Sequence, residues 1–489
     1  MKNKHLRQSI AAALITAIIF VAAACSGVQN DESPYEQPPI ILDQPAVEPS
    51  EPIAPIEPAE PSEDDFGELS NVQPTLSGTI TISQAWIHQN LDLAIRRFTT
   101  IHPDVEIRLN CFGNDWRTFN TEISSQLAEG TGDDIIEVSG LPLIDFADMG
   151  LVADLLPLMR NDPNFNEADY FMNVINAFKY RGGLYMFPTT FYYLLIGVNN
   201  THSEDIVEKF RQFETISHRQ MLDLYLGLEN RDELFVGLNA NAFCYIDATL
   251  SNFIDFENKT VNFDNDEFIR ILYDWKNVTD PQLFDGGGNL PTGGGAFLGV
   301  SRSAQIERAS RYLFAAYFST SYALFFPRAE QELFTHFIPQ TMDNGEVIVN
   351  TGGAYFINSA SDNIELAWEF LKFLSTDVVF NGTRARFSMP INREVFRNTI
   401  SLAIDDAVSL WEQLDGMSVD GEIEDVTEQI FETISVFNEL PMRFPNSFWG
   451  DHFVVKRDII TSFYNGELTA AQTAAELQYR VSAFLAERG

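Results

Sequence analysis

The sequence predicts an α/β protein from about Ser77 to Gly489. Segments in which apolar residues recur at every second position, as in strands, alternate along the chain with segments of helical period. Gly and Pro separate these segments, as they commonly do between regular elements. Strand, helix and strand in succession indicate parallel strands, because the helix returns the chain to the same end of the sheet. The region is also long enough to form two lobes.

The first strand is predicted at 78–86, "GTITISQAW", where alternation follows a Gly. The helix after it ends at His102-Pro103, because proline cannot continue a helix. A strand at 104–112, a helix that stops at Gly130 and a third strand at 133–140, "DDIIEVSG", follow. The apolar face of the first helix is formed by Leu91, Ala94, Ile95 and Phe98.

Two later helices carry the spacing of a capping box, in which an N-terminal cap residue and a residue three positions on bond each other's backbone. Asp362 and Glu365 have this spacing at the start of 363–375, and Thr469 and Gln472 have it before the last helix. The predicted apolar faces are Ile364, Ala367, Leu371 and Leu374 in one helix, and Ala474, Leu477, Val481 and Leu485 in the other.

The N-terminus combines a basic start with the uncharged run Ile10–Ala24. This run is shorter than the roughly 20 residues of a spanning helix and fits the core of an export signal. "AAAC" at 22–25 resembles the lipobox of bacterial lipoproteins, with Ala22 where that box usually has Leu. We therefore expect residues 1–24 to be a signal peptide and Cys25 to carry a lipid. An ordinary secretory signal with a chance cysteine is the alternative.

Residues 31–75 contain no Lys or Arg and are rich in Pro, Glu and Asp. Such a segment cannot bury enough apolar surface to fold, and proline and like charges extend it. Together with the lipidated cysteine it is predicted to form an acidic stalk over 25–77. The formal net charge of the whole chain is −39, and the body stays strongly acidic without the stalk. This charge argues against nucleic acid or anionic lipid as a partner, since basic patches bind them.

No catalytic or metal-binding motif stands out. G-x-S-x-G and H-E-x-x-H are absent, and the Gly-rich stretch 285–297 lacks the Gly-Lys-Ser/Thr of a phosphate loop. The seven histidines are scattered singly, without the spacing of zinc ligands. Cys111 and Cys244 are expected to be two separate buried thiols, with a disulfide between them as the alternative. The sequence therefore predicts no enzyme, no metal site and no cofactor.

Aromatic residues mark the candidate binding surface. Trp86 follows the first strand, Tyr192 lies between Phe191 and Tyr193, and Trp449 lies in "FPNSFWGDHF". In open α/β sheets, ligands bind beyond the carboxyl ends of the strands. Aromatic faces pack on the apolar surfaces of ligands, including those of sugar rings. The alternative for each of these residues is packing in the core.

Eight motifs in a fixed order carry a resemblance to a known family. They are "TITISQAW", "LAIRRFTTIHPDVEIRL", "GTGDDIIEVSGLPLIDFADMGLVADLLPL", "RGGLYMFPTTFYYLLIGVNN", "NFDNDEF", "GGAYFINSASDNIELAWEFLKFLS", "MPINREVF" and the capped terminal helix. In this order the body resembles the family-1, sugar-binding solute-binding proteins of bacterial ABC importers, which include the maltodextrin-binding proteins. The fourth motif resembles their crossing segment, with Val198-Asn199 where the family usually has Tyr-Asn.

The resemblance implies a two-lobed, periplasmic-binding-protein-like α/β fold of type II, with a ligand cleft between lobes joined by crossing strands. The implied lobes are 78–187 with 350–395, and 188–349 with 396–489. They would close around the solute by a hinge motion. The implied hinge residues are Pro188, Gly352 and Gly353.

The resemblance also implies ligand-binding residues at strand ends and on cleft loops. They are Trp86, His88, Ser139, Gly140, Thr190, Tyr192, Arg302 and Trp449. The segment "VSGLPL" lacks the aromatic and charged groups that maltodextrin binders present after the third strand. The maltodextrin pattern is therefore broken at this point.

The implied function is that of a monomeric extracellular receptor, anchored to the membrane by lipid, that captures a carbohydrate for an ABC permease. An oligosaccharide is the expected solute. A surface glycan-binding adhesin or a sensor subunit without a transport role is the alternative, and a glycan hydrolase is a third hypothesis.

Overall fold

The computed structural model describes most of the chain after residue 75. The residues it describes are 76–85, 91–113, 115–228, 234–238, 250, 252–255, 258–278, 310–319, 333–377, 388–399, 439–444 and 452–487. Apart from Leu76 they belong to one compact unit, Ser77–Gly489. The predicted signal peptide, Cys25, the predicted stalk up to residue 75 and Cys244 lie outside the described residues.

The first five elements alternate as predicted. They are β1 (Ser77–Gln84), α1 (Leu91–Ile101), β2 (Asp104–Cys111), α2 (Trp116–Glu129) and β3 (Ile135–Glu137). β1 pairs in parallel with β2 on one side and with β3 on the other, which confirms the predicted pairing. α1 ends before His102-Pro103, and α2 ends at Gly130, whose φ of 72° lies in the left-handed region.

β3 is shorter than the predicted strand, and the two predicted residues before it, Asp133 and Asp134, bond to β1 and β2 through their side chains. The Asp134 carboxylate accepts hydrogen bonds from the Thr81 backbone N (2.7 Å) and from Thr81 Oγ1 (2.9 Å). The Asp133 carboxylate accepts one from Asn110 Nδ2 at 2.8 Å and another from the Ser83 hydroxyl. These carboxylates fix the end of the loop that leads into β3.

The next elements complete the N-terminal part and lead into a long strand. They are α3 (Leu143–Asp148), α4 (Leu156–Asn161), α5 (Met172–Ala177), β4 (Lys179–Tyr180), β5 (Gly183–Leu184), β6 (Phe187–Asn199), α6 (Glu204–Phe210), β7 (Ile216–Ser217), α7 (His218–Leu226) and β8 (Phe235–Leu238). The later ones are β9 (Ile254–Asp255), β10 (Thr260–Val261), α8 (Asp266–Val278), β11 (Tyr312–Phe318), β12 (Phe334–Thr341), β13 (Val347–Ile357), α9 (Ile364–Thr376), β14 (Met389–Pro390), β15 (Met442–Arg443), α10 (His452–Tyr464) and α11 (Ala470–Glu487).

Two antiparallel strands, β6 and β13, connect the two halves of the main sheet. Among the described residues this sheet has 11 strands in the order β2-β1-β3-β13-β12-β6-β11-β8, with further pairings off this path. The first half of β6 pairs with β13, from Phe187 opposite Tyr355 to Tyr193 opposite Val349. Its second half, residues 194–199, pairs with β11 and β12. β6 and β13 are therefore the crossing strands that the sequence predicts.

One of the two predicted capping boxes is present. The Thr469 backbone N donates to Gln472 Oε1 (2.9 Å), and the Gln472 backbone N donates to Thr469 Oγ1 (3.2 Å). The box at Asp362 and Glu365 is wrong: Asn363 is the N-cap residue of α9, and its side chain makes no capping bond. Ser361 causes the difference, because its hydroxyl bonds both the Asn363 backbone N and the Asp134 carboxylate, which fixes the entry to the helix.

The helix faces agree with the predicted apolar patterns. In α11 the predicted residues Ala474, Leu477, Val481 and Leu485 are all buried. In α9 the buried residues include Ala367, Leu371 and Leu374, and in α1 they are Leu91, Ala94 and Phe98. Cys111 is a correction: it lies at the exposed end of the edge strand β2, so its thiol is exposed rather than buried.

Candidate ligand site at the crossing strands

The register of three strands brings several predicted site residues to one edge of the sheet, at the level where β3 ends. Glu137 at the end of β3 lies opposite Tyr355 of β13, which lies opposite Phe187 of β6. The next residue after Glu137, Val138, donates its backbone N–H to the Ala354 carbonyl at 3.0 Å. Ser139 and Gly140 therefore leave β3 at the level where Thr190 pairs with Gly353.

A buried carboxylate fixes the exit of β1 at the same edge. Glu137 is 6% exposed, and its Oε2 accepts a hydrogen bond from the Ala85 backbone N at 2.9 Å. Trp86 and His88 follow directly but lie outside the described residues, as do Arg302 and Trp449. Their ligand-binding roles remain predictions.

Ser139 and Gly140 form the turn after β3. Gly140 has a φ of 70°, in the left-handed region that glycine adopts most readily. Its carbonyl accepts a hydrogen bond from Asn120 Nδ2 at 3.3 Å, which ties the turn to α2. Ser139 is half-buried and Gly140 is exposed, so a ligand could reach both.

Thr190 lies at the centre of the crossing strands and is fully buried. Its hydroxyl oxygen has no hydrogen-bond partner among the described residues. The backbone of β13 passes very close: a Cβ on Gly352 would lie 2.5 Å from Ser388 Oγ and 3.2 Å from Thr190 Oγ1. Gly352 is therefore required by close packing, whereas hinge roles for Pro188, Gly352 and Gly353 stay predictions.

Among the three consecutive aromatic residues of β6, only Tyr192 reaches solvent. Phe191 and Tyr193 are buried, and burial raises the pKa of the Tyr193 hydroxyl above its ordinary value. The Phe191 ring packs edge-on against Phe171, with centroids 5.7 Å apart. Core packing thus accounts for two of the three rings, and the half-buried Tyr192 is the candidate for contact with a ligand.

Trp116 and Arg117 are candidate site residues that the sequence interpretation missed. They begin α2, directly after β2 ends near the same edge of the sheet, and Trp116 is 48% exposed. The Arg117 guanidinium lies 5.3 Å from the centroid of the Trp116 ring. Asp115 caps the helix by accepting from the Thr118 backbone N at 3.1 Å. The stretch "DWRT" could have indicated the start of this helix, because Asp is a favoured N-cap residue.

A polar recess of about 580 Å³ lies on one face of β1 and β2, apart from the predicted site residues. The residues that line it include Asp133, Asn110 and Cys111.

Among the described residues no cluster of His, Cys, Asp and Glu could hold a metal ion. In the same part of the chain, no helix has the length and apolarity needed to cross a membrane.

Several solved structures are similar to this chain in fold. An extracellular solute-binding protein family 1 from Alicyclobacillus acidocaldarius aligns at a TM-score of 0.56 and 14% identity, covering 85% of this chain and 100% of that one. The sugar-binding protein MalE from Xanthomonas citri aligns at a TM-score of 0.56 and 13% identity, covering 84% of this chain and 98% of that one. A periplasmic oligogalacturonide-binding protein from Yersinia enterocolitica aligns at a TM-score of 0.55 and 13% identity, covering 84% of this chain and 100% of that one.

No protein-family model and no curated protein sequence matches the chain. At these identities the similarity is one of fold. The chain therefore has the α/β fold of two-lobed extracellular solute-binding proteins, which confirms the predicted fold class.

Proposed function

We propose that this protein is an extracellular receptor that captures a carbohydrate, and specifically an oligosaccharide, for an ABC importer. The observation that carries the proposal is the accessible Tyr192 on a crossing strand of a solute-binding fold. Two proteins of this fold are sugar-binding MalE and an oligogalacturonide binder, which supports a saccharide as the solute. The protein would bind the solute without reaction, as a monomer, and pass it to the permease.

The proposed chemistry combines apolar stacking with polar selection. The Tyr192 ring, and the exposed Trp116 ring at the same edge, would pack on the apolar faces of sugar rings. Ser139, Thr190 and the backbone around Gly140 would bond sugar hydroxyls, as the few polar groups of a ligand pocket do. Trp86, His88, Arg302 and Trp449 complete the proposed site.

The proposed lobes are 78–187 with 350–395, and 188–349 with 396–489. Lobe closure around the solute would turn the crossing strands near Pro188, Gly352 and Gly353. The segment 439–444 touches both proposed lobes: Arg393 Nη2 donates to Glu439 Oε1 at 2.7 Å, and Val347 pairs with Met442. This contact supports a third connection beside the two crossing strands.

Replacing Tyr192 by Ala is expected to weaken saccharide binding by about 1–3 kcal/mol, because the stacking surface is lost. A panel of saccharides, peptides and polyamines is first screened for shifts in the unfolding midpoint of the wild-type protein. Affinities of the variant are then measured by calorimetry with the saccharide that binds. Tyr479→Ala is the matched control, since Tyr479 is 72% exposed on α11. Shifts with peptides or polyamines but with no sugar would contradict a carbohydrate solute.

We further propose that Cys25 carries a lipid that holds the receptor at the outer face of the cell membrane. The motivation is the short apolar run before "AAAC" and the acidic stalk behind it. Radiolabelled palmitate should enter the wild-type protein but not Cys25→Ala when both are expressed in bacteria. Label that persists in the variant would show that Cys25 is not the lipidated residue.

The length of the stalk favours one alternative, a surface glycan-binding adhesin or sensor subunit without a transport role. A stalk over 25–77 gives more reach than docking on an adjacent permease needs. The two functions differ in uptake: loss of this protein should abolish uptake of the bound saccharide only if it serves an importer. Turnover of a glycan by the purified protein would instead indicate a hydrolase.

A further inference from the structure

Asn350 lies beside Tyr192 on the less buried face of the crossing strands. In β13 the side chains alternate: Val347 and Val349 are buried, whereas Ile348 and Asn350 are half-buried. The register places Asn350 directly opposite Tyr192 and Val349 opposite the buried Tyr193. Directly opposed residues of an antiparallel pair project to the same face of the sheet. The Asn350 amide and the Tyr192 ring are therefore neighbours on the face that solvent reaches.

Two polar side chains on this face, those of Asn350 and Thr190, make no hydrogen bond to the described residues. The Asn350 amide has the capacity for more than one bond, because it offers two donors and a carbonyl acceptor. Thr190 precedes Tyr192 by two positions in the same strand, so it projects to the same side, and its buried hydroxyl oxygen also lacks a partner there. A partly buried polar group without a partner costs free energy unless water or a ligand bonds it.

We propose that Asn350 is a specificity-determining residue of the saccharide site. Its Nδ2 would donate to one hydroxyl, and its Oδ1 would accept from the adjacent hydroxyl, of the sugar ring that stacks on Tyr192. The ligand class is therefore a saccharide whose stacked ring is uncharged and carries two adjacent free hydroxyls. An amide suits this task because it is neutral and pairs with groups that both donate and accept. The inference rests on the proposed carbohydrate-binding function.

The test compares a bound saccharide with its monodeoxy derivatives in the wild type and in variants. The saccharide is the one that the wild-type panel identifies. Asn350→Ala should lower its affinity by about 10- to 100-fold, because two hydrogen bonds of about 1 kcal/mol each are lost. The wild type should discriminate against the derivative that lacks one of the two hydroxyls, and Asn350→Ala should bind parent and derivative equally. Asn350→Asp, which is nearly the same size but lacks the donor, should lose the preference for only one hydroxyl.

The control variant is Asn164→Ala, which removes an amide from an exposed position of the N-terminal part. It should change neither affinity nor discrimination, and the ligand-free unfolding midpoints of all variants should show that they are folded. If the wild type binds a saccharide and Asn350→Ala keeps both affinity and discrimination, the role of Asn350 is wrong while the proposed function stands. If no saccharide binds to the wild type, both are wrong.

Discussion

Replacing Asp162 by Ala is expected to lower the free energy of unfolding by about 2–3 kcal/mol, because two largely buried donors lose an acceptor that they share. The Asp162 side chain is 6% exposed and that of Lys372 is 13% exposed. Asp162 Oδ2 accepts hydrogen bonds from the Lys372 ammonium and from Trp368 Nε1, the latter at 3.0 Å. Without the Asp162 carboxylate, the Trp368 indole N–H would lose its acceptor. The Lys372 ammonium would keep only Glu369, whose Oε1 accepts from Nζ at 3.0 Å.

The position of Asp162 explains why this loss would affect the core. Asp162 ends α4, and it joins that helix to α9, where Trp368 and Lys372 lie one turn apart. The Trp368 ring packs edge-on against Phe187, the first residue of β6, with centroids 5.2 Å apart. Burial alone would raise the pKa of Asp162, but hydrogen bonds from Lys372, the Asn164 backbone and Trp368 outweigh it and lower the pKa.

Urea titrations of two further variants separate burial from charge. Asp162→Asn keeps an acceptor for Trp368 and should cost less than Asp162→Ala. Asp205→Ala removes a carboxylate from the pair Asp205–Lys209, whose side chains are 70% and 53% exposed, and should cost no more than about 0.5 kcal/mol. Equal losses for Asp162→Ala and Asp205→Ala would contradict the argument from burial.

Much of the fold could be predicted because local signals and topology agree in the first 60 residues of the body. Pro103 and Gly130 mark helix ends by backbone sterics alone, and the parallel direction of β1, β2 and β3 follows from the helices that connect them. The box at Asp362 and Glu365 failed because a distant residue decided the geometry. The tie of Ser361 to Asp134 spans 227 positions, and no local pattern can show it.

The site was harder to predict because both faces of a central strand are mostly buried. In β6, Phe191, Tyr192 and Tyr193 look alike in sequence, and only the pairing with β13 shows that Tyr192 faces the accessible side. Asn350 carries no signal of its own for the same reason: its importance comes from lying opposite Tyr192. Trp116 was missed because the helical pattern in the sequence was recognised only over 118–130, "TFNTEISSQLAEG", which begins two residues after it.

A second large effect is expected from pH, through His218. This residue begins α7 and is 7% exposed, with its ring edge-on to Trp275 at 5.2 Å. Burial lowers the pKa of His218 to about 3. Its Nε2 lies 2.6 Å from Gln340 Nε2, which can only donate, so the imidazole is the acceptor and must be neutral. The N-terminus of a helix also disfavours a positive charge.

The sign of the effect follows from proton binding in the two states. Between pH 6.5 and about 3 the unfolded chain binds a proton at this histidine and the folded chain does not. His218 should therefore lower the free energy of unfolding by about 1.4 kcal/mol for each pH unit of acidification within this window. Above pH 6.5 both states are neutral at this residue, and it should contribute no pH dependence.

Urea titrations at several pH values would isolate this contribution as the difference between the wild type and His218→Gln. The free energy of unfolding of the wild type minus that of His218→Gln should fall steadily as the pH drops below 6.5. Only the wild type takes up a proton at this position when it unfolds. His202→Gln is the matched control. Burial lowers the pKa of His202, but the hydrogen bond from its ring to the Ser310 carbonyl opposes this, so the pH dependence of stability that it contributes should be smaller.

Parallel curves of unfolding free energy against pH for the wild type and His218→Gln would mean that the folded protein accepts the proton. Rotation of the Gln340 amide would allow this, because Oε1 has no partner among the described residues and could then accept from the imidazolium.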